Sequence, residues 1–240
     1  MSIKRIPESE RGTSDHGWLK AKFSFSFANW YNPQKMGFGA LRVLNNDRIS
    51  GGAGFPTHYH QNMEIVTIPL RGAVAHKDST GTDGIIKAGE VQIMSAGTGI
   101  THSEYNASKT EELELFQIWI TPETIGLQPR YDQRDFDKTQ KKNKWQVIVS
   151  PTPEKHEQSQ EPIKIYQQAY FNLGDVEESK ILEYKLNNPK HGVYLMIIEG
   201  EIEVDGQKFE KRDTAEIKNI KSFKIKANKD AKLLAIEVVL

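Results

Sequence analysis

Short segments with apolar side chains at alternating positions, separated by glycine-bearing turns, recur through the 240-residue chain and constrain its fold more than any other feature. The segments at 22–27, 64–70 and 113–120 are examples, and glycine breakers occur at 51–54 and 96–99. A period of two is typical of β-strands, whose side chains point alternately to opposite faces. Many short strands with frequent turns predict an all-β sandwich or barrel.

One stretch in the second half predicts a β-hairpin in its own right. The alternating run at 198–204 is followed by Asp205 and Gly206, a pair that suits a type I′ turn. The stretch is similar to 69–76, which is consistent with an internal duplication.

The length permits two small β domains of about 120 residues each. The amino-acid composition changes at 121–144, which is richer in proline, glycine and lysine than the predicted strands on either side. We therefore predict domains at 1–132 and 133–240. The basic cluster at 138–144 is short and has no interleaved aromatic residues, so we expect a solvated loop there.

The amino-acid composition limits the classes of binding partner that are expected. Lys plus Arg and Asp plus Glu both number 32, so the chain lacks the net positive charge that would attract nucleic acid or an anionic membrane. It contains no cysteine, so any metal must be held by imidazole and carboxylate groups. No secretion signal or membrane-spanning apolar run is visible, so we expect a cytoplasmic protein with no membrane partner. We also expect no nucleic-acid partner and a monomeric protein.

Two pairs of metal-ligand residue types have the spacing of one strand face. His58 and His60 lie two apart, and His102 and Glu104 repeat that spacing directly after a glycine-rich turn. Either pair alone is commonly a surface feature, but two such pairs on neighbouring strands predict one metal site. His16, His76 and His156 have no partner at this spacing, and we expect surface or hydrogen-bonded structural residues there.

The motifs resemble a known family. The order of glycine, histidine and glutamate through the two stretches is similar to the two-part metal signature of the cupin superfamily. More narrowly, the chain resembles pirin, above all the bacterial branch with quercetin 2,3-dioxygenase activity. The resemblance implies two tandem cupin barrels of the double-stranded β-helix, or jelly-roll, type. It rests on the segments at 11–18, 38–47, 54–56, 92–104 and 117–119.

The resemblance implies a ligand set of His58, His60, His102 and Glu104 around one divalent transition metal. Fe(II) is the expected ion, with Mn, Co, Ni, Cu and Zn as alternatives that the same nitrogen and oxygen ligands suit. Glu64, at the position of the superfamily's more usual carboxylate, is expected beside the metal rather than as its main carboxylate ligand.

The implied reaction is cleavage of a flavonol such as quercetin with O2, so the expected partners are a small aromatic substrate and O2. Glu104, or else Glu64, would accept the substrate's hydroxyl proton. Phe38, Phe55 and Gln117 are candidate pocket residues, although aromatic and amide side chains on barrel strands are as often core filling.

Two other functions stay open at this point. A metal-bearing, redox-responsive regulator that binds an enzyme or a transcription factor has the same fold, because fold does not decide function. A closed structural zinc site is the third reading. In the second barrel, alignment of Gly200 with Gly72 places Leu186 and Asn188 where His58 and His60 stand, so we predict no metal site there.

Overall fold

Strands make up almost all of the regular structure in the computed structural model, which describes residues 2–156 and 158–240. In the first half they are β1 (Ser2–Ile6), β2 (Gly12–Asp15), β3 (Leu19–Phe23), β4 (Leu41–Ile49), β5 (Gly54–His60), β6 (Glu64–Arg71), β7 (Ala73–Asp78), β8 (Asp83–Lys87), β9 (Glu90–Ser95), β10 (Ile100–Asn106), β11 (Leu113–Ile120) and β12 (Arg130–Asp135). The described residues also form short 3-10 helices at Glu8–Glu10, Lys138–Lys141 and Pro153–Lys155.

The second half repeats the pattern of short strands. They are β13 (Gln146–Ser150), β14 (Ile163–Lys164), β15 (Ala169–Val176), β16 (Ile181–Lys185), β17 (His191–Glu199), β18 (Glu201–Val204), β19 (Gln207–Glu210), β20 (Thr214–Lys218), β21 (Ser222–Ala227) and β22 (Ala231–Val239).

Each half forms a barrel from a seven-stranded and a four-stranded sheet. In the first barrel the strand order β12-β9-β6-β11-β4-β3-β2 faces β5-β10-β7-β8. In the second, β1-β20-β17-β22-β15-β13-β14 faces β16-β21-β18-β19. The all-β, two-barrel fold predicted from the sequence is therefore confirmed.

The two seven-stranded sheets pack back to back, so their central strands are buried on both faces. Along β17, Tyr194 and Met196 belong to the core between the barrels. The alternate residues Val193 and Leu195 belong to the core inside the second barrel. The period of two therefore assigns each residue of a central strand to one of two cores.

The residues that point into the interior of the first barrel are apolar at its two ends and polar between them. Along β11, Leu113 and Leu115 belong to the apolar cluster at one end, and Trp119 packs against the cluster at the other end. Gln117 lies between them on the same face and is buried. The side chains of the candidate metal centre lie beside this glutamine.

The predicted hairpin at 198–206 is confirmed. Strands β18 and β19 pair antiparallel, with Val204 opposite Gln207. Asp205 and Gly206 form the two-residue turn with φ of +50° and +73°. Positive φ at both positions is what a type I′ turn requires.

The N-terminal strand lies in the sheet of the second barrel. Strand β1 pairs antiparallel with β20, and Arg5 Nε donates a hydrogen bond of 2.8 Å to Asp213. Strand β12 pairs with β9 of the first barrel and spans the predicted boundary at 132. The boundary itself stays a prediction, but strand pairing crosses it in both directions.

The predicted strand at 22–27 is shorter than its alternation indicates. Strand β3 ends at Phe23, and the chain then leaves the sheet. Ser26 accepts a hydrogen bond from the backbone of Asn32 and donates one to it, both of 2.9 Å. These loop hydrogen bonds replace the ladder that would extend the strand.

Within residues 2–156 and 158–240, no helix combines the length and the apolar character needed to cross a membrane.

We expect Ile6→Ala to destabilise the protein by about 2–5 kcal/mol, because Ile6 is 3% exposed and fills the core between the barrels. Lys4→Ala, on an exposed position of the same strand, should change stability by less than about 0.5 kcal/mol. Urea unfolding of both variants measures the difference. Equal effects of the two substitutions would contradict the docking of β1 on the second barrel.

Candidate metal centre

Three neighbouring strands of the four-stranded sheet carry the candidate ligands. Strands β5 and β10 pair antiparallel, and this pairing sets His58 directly opposite His102. The register shifts between His102 and Glu104, so Glu104 stands opposite Phe55. On its other side β10 pairs with β7, which places His76 opposite Glu104.

Three of the predicted ligands meet at one point. One ring nitrogen from each of His58, His60 and His102 lies within 4.8 Å of the others. The ring centroids are 4.4 Å apart for His58 and His102, and 5.0 Å apart for His60 and His102. Imidazole nitrogens converging at this spacing are a donor set for a divalent transition metal.

The ring of His58 is oriented by a hydrogen bond. Its Nδ1 lies 2.8 Å from the carbonyl oxygen of Pro56, and because a carbonyl only accepts, Nδ1 carries the proton. The Nε2 of His58 therefore keeps its lone pair for a ligand, an arrangement typical of metal-binding histidines.

His102 lies at the centre of the group and has no internal partner. It is buried, and neither Nδ1 nor Nε2 has a hydrogen-bond partner in the part of the chain that the structure describes. Burial, together with the neighbouring His58 and His60, lowers the pKa of His102 to about 2. A neutral, buried imidazole with two unpartnered nitrogens fits a metal ligand.

His60 is also neutral near pH 7. Burial and then the neighbouring His58 lower its pKa to about 4. Its ring packs against Trp119 at a centroid distance of 4.9 Å. The imidazole nitrogen is therefore free of a competing proton at physiological pH.

The carboxylate of Glu104 is held in place by polar neighbours. Gln117 Nε2 donates to its two oxygens at 2.9 and 3.2 Å, and the hydroxyl of Thr67 lies 3.4 Å from Oε1. Burial raises the pKa of Glu104, and the hydrogen bond from Gln117 opposes that rise. The candidate pocket residue Gln117 thus contacts Glu104 itself.

His76 is a hydrogen-bonded residue, one of the two outcomes expected from the sequence, but it also lies beside the candidate ligands. It is buried, and its Nε2 forms a 3.1 Å hydrogen bond with Asp78. Donor atoms of His76, His102 and Glu104 lie within 4.8 Å of one another. His76 and Asp78 share the two-residue spacing of the predicted ligand pairs, a signal that was missed, and the pairing of β7 with β10 brings His76 here.

Glu64 is directed to the contact between the barrels. Its carboxylate accepts hydrogen bonds from the Ser95 hydroxyl at 3.0 Å and from the backbone N–H of Tyr166 at 3.2 Å. It is not part of either ligand cluster found among the described residues. Its role as an alternative base stays a prediction, and its contacts join the second half of the chain to the first barrel.

Asp47 is a buried carboxyl group that the sequence did not single out. Burial, and after it the nearby Glu104, raises the pKa of Asp47 to about 7. Asp47 and the candidate pocket residue Phe55 both line a cavity of about 290 Å³, together with Phe23 and Phe27. An aromatic-lined space therefore lies next to the interior carboxyl groups.

Phe38, the third candidate pocket residue, is placed elsewhere. It is buried in the core between the barrels, where its ring centroid is 5.6 Å from that of Tyr194. It does not line the 290 Å³ cavity. Nothing in these contacts gives Phe38 access to the histidine cluster.

The second barrel has a carboxylate network at the positions aligned with the ligands. Glu237 is fully buried and accepts hydrogen bonds from Tyr184 at 2.9 Å and from the backbone N–H of Asn188 at 3.1 Å. His191 Nδ1 lies 3.0 Å from the same carboxylate. The side chains here satisfy one another, as a structural network does.

We expect the stability of the Glu64→Gln variant, relative to that of the wild type, to increase as the pH rises. Burial raises the pKa of Glu64 to about 7, so the folded state keeps a proton that the unfolded chain loses above about 4.5. The stability from that proton is complete below pH 4.5 and is lost as the pH rises through 7.

The difference in unfolding free energy between Glu64→Gln and the wild type should therefore shift by about 3 kcal/mol between pH 4.5 and 8. Urea titrations at a series of pH values measure it, with Glu183→Gln on an exposed position of β16 as the control. A difference that does not change with pH would contradict the buried, proton-binding state of Glu64.

Comparison with known proteins agrees with this geometry. Residues 6–120 match the family model for pirin, and residues 147–238 match the model described as the quercetinase C-terminal cupin domain. The chain is 41% identical to quercetin 2,3-dioxygenase of Escherichia coli K12 over 230 residues, 96% of each protein. It is 38% identical to a pirin-like protein of Caulobacter vibrioides over 235 residues, 98% of this chain and 99% of that protein.

A solved structure has the same fold over its whole length. The bacterial pirin YhhW of Escherichia coli, in complex with nickel(II), superimposes with a TM-score of 0.91 at 38% identity and covers 99% of both chains. A divalent metal is thus bound by a close structural relative. Both barrels are cupin domains, and the chain belongs to the pirin family, in the group that contains enzymes named quercetin 2,3-dioxygenase.

Proposed function

We propose that this protein is an Fe(II)-dependent dioxygenase that cleaves a flavonol such as quercetin with O2. The observation that carries the proposal is the buried His102, whose two ring nitrogens have no partner in the described chain and which is shared by both ligand clusters. His58, His60, His102 and Glu104 would hold the metal. The relatives named quercetin 2,3-dioxygenase supply the substrate class.

When bound, the ion would lower the pKa of a coordinated hydroxyl group and polarise its oxygen. The protein's own part begins with Gln117, which fixes the carboxylate of Glu104 through hydrogen bonds to both of its oxygens. Glu104 is therefore the group placed to receive the hydroxyl proton of the substrate.

The surroundings suit a flat aromatic substrate. Phe23, Phe27 and Phe55 line the 290 Å³ cavity, and Phe27 also stacks edge-on against Trp119 at 5.3 Å. Trp119 in turn contacts the ring of His60. Aromatic walls of this kind bind a planar ring. The contacts of Phe27 with Trp119 and of Trp119 with His60 connect the cavity to the histidine cluster, whose ligands do not themselves line it.

We expect His102→Ala to lose the metal, because it removes the ligand common to both clusters. His76→Asn should keep stoichiometric metal but bind it about 10- to 100-fold more weakly, as for residues that support a ligand without replacing it. His16→Ala, at an exposed position, is the control. Metal analysis after dialysis and competition with a chelator measure these effects, and full metal retention by His102→Ala would contradict the proposed centre.

We expect wild-type protein, reconstituted anaerobically with Fe(II) and then given quercetin and O2, to consume both and release carbon monoxide. Glu104→Gln should reduce turnover by about 10²-fold or more, since it removes the proton acceptor. Glu111→Gln, at an exposed position of the same barrel, should leave turnover unchanged.

Oxygen uptake and the loss of quercetin absorbance measure turnover. An iron-loaded protein that never consumes O2, and that captures a protein partner in only one oxidation state, would contradict the dioxygenase and support the regulatory alternative.

A further inference from the structure

A second cavity, of about 510 Å³, lies between the two barrels and is separate from the histidine cluster. The first barrel contributes residues of β6, β9 and β11, and the second contributes residues of β15, β17 and β22. Its apolar floor includes Ile68, Phe136 and Leu173. The volume is in the range of small-molecule sites, which commonly occur between domains.

The cavity carries more positive than negative charge. Seven lysine and arginine side chains line it, against four carboxylates. The carboxylates are already engaged. Lys141 pairs with Asp175 at 3.5 Å and Lys211 with Glu199 at 2.9 Å, while Glu90 accepts a hydrogen bond from Gln133 at 2.9 Å. Lys138 and Lys232 have no carboxylate within ion-pair distance among the described residues.

Arg212 is the central basic residue of this cavity. It is 4% exposed, and its Nη2 donates to Glu114 Oε1 at 2.7 Å. Its Nε and Nη1 have no partner in the described residues. Buried guanidinium donors without an acceptor are costly, and an oxygen of a carboxylate or phosphate would satisfy one of them.

The backbone at Arg212 supports a role beyond packing. Its φ is +67°, in the left-handed region that favours glycine or asparagine. A non-glycine residue held there carries backbone strain. The turn therefore holds an arginine where a glycine would adopt the same backbone conformation without strain. The arginine side chain extends from the second barrel to Glu114 of the first.

A second buried arginine adds to the positive field. Arg11 is 3% exposed, and its Nε and Nη1 also have no partner in the described chain. Burial, with a contribution from the charge of Arg212, lowers the pKa of Arg11 to about 10, so it stays cationic at neutral pH. Arg11 does not line the 510 Å³ cavity, so its charge acts on the cavity only from a distance.

From this arrangement we infer that the cleft between the barrels binds a small organic anion, with a carboxylate or phosphate head on Arg212, Lys138 and Lys232 and an apolar body on Ile68, Phe136 and Leu173. The charged, unpartnered donors of Arg212 favour an anionic head over an uncharged one. The apolar floor distinguishes this ligand from an inorganic ion.

Calorimetric titration of the full-length, metal-loaded protein tests the inference with four probes. Benzoate and phenyl phosphate present the two candidate head groups on the same ring. Benzamide is the uncharged control for benzoate, and inorganic phosphate is the control without an apolar body. We expect one organic anion to bind with one-to-one stoichiometry at least about tenfold more tightly than inorganic phosphate, and benzamide not to bind.

Two variants locate the site. Arg212→Lys keeps a cation beside Glu114 but removes the unpartnered donors, and it should weaken binding about tenfold or more. The double substitution Lys138→Ala with Lys232→Ala removes charge at the cavity but leaves the buried ion pair of Arg212 and Glu114 intact. It therefore tests the site even if Arg212→Lys fails to fold. Lys224→Ala with Lys226→Ala, at exposed positions of β21, is the matched control.

Tighter binding of benzoate would assign a carboxylate ligand, and tighter binding of phenyl phosphate a phosphate ligand. Three results would overturn the inference: no binding of either organic anion, equal binding of inorganic phosphate, or unchanged binding in both the Arg212→Lys and the double-lysine variant.

Discussion

The back-to-back packing of the two seven-stranded sheets is the constraint on which the rest of the structure depends. Because their central strands are buried on both faces, each polar residue on them lies in a core and needs a partner. Gln117 on β11 has one in Glu104, and Glu64 on β6 has one in the backbone N–H of Tyr166. His102, on the facing sheet, has none on either ring nitrogen among the described residues, as expected of a side chain whose partner is a metal ion.

The sequence could predict the parts of the fold and site that local spacing encodes. The two-residue spacing of His58 and His60 follows directly from strand geometry, and the structure brings both to His102. The Asp-Gly hairpin is equally local, since its turn depends on two residues. The number and spacing of the strands indicated an all-β sandwich or barrel, and the family resemblance implied the two tandem barrels.

What the sequence could not predict depends on which strands pair. His76 enters the centre because β7 lies beside β10, a neighbour that the spacing of His76 and Asp78 does not specify. The N-terminal strand β1 pairs with β20, about two hundred residues away, and nothing in its own residues indicates that partner. Phe38 was placed in the substrate pocket on its aromatic character alone, whereas it lies before β4 and packs against Tyr194.

The net charge of zero conceals strong local electrostatics. Burial raises the pKa of Asp47, which lies near Glu104, and the pKa of Glu64, at the contact between the barrels, to about 7. The cleft between the barrels, around Arg212, instead has more basic than acidic side chains in its lining. One fold therefore separates a centre suited to a metal cation from a cleft suited to an anion.

The most direct test of the metal centre is a crystal structure of the iron-loaded protein with anomalous data collected on both sides of the iron absorption edge. The account predicts a single strong anomalous peak within bonding distance, about 2.0–2.2 Å, of nitrogens of His58, His60 and His102 and an oxygen of Glu104. A peak at any other position, or no peak in iron-loaded crystals, would contradict it.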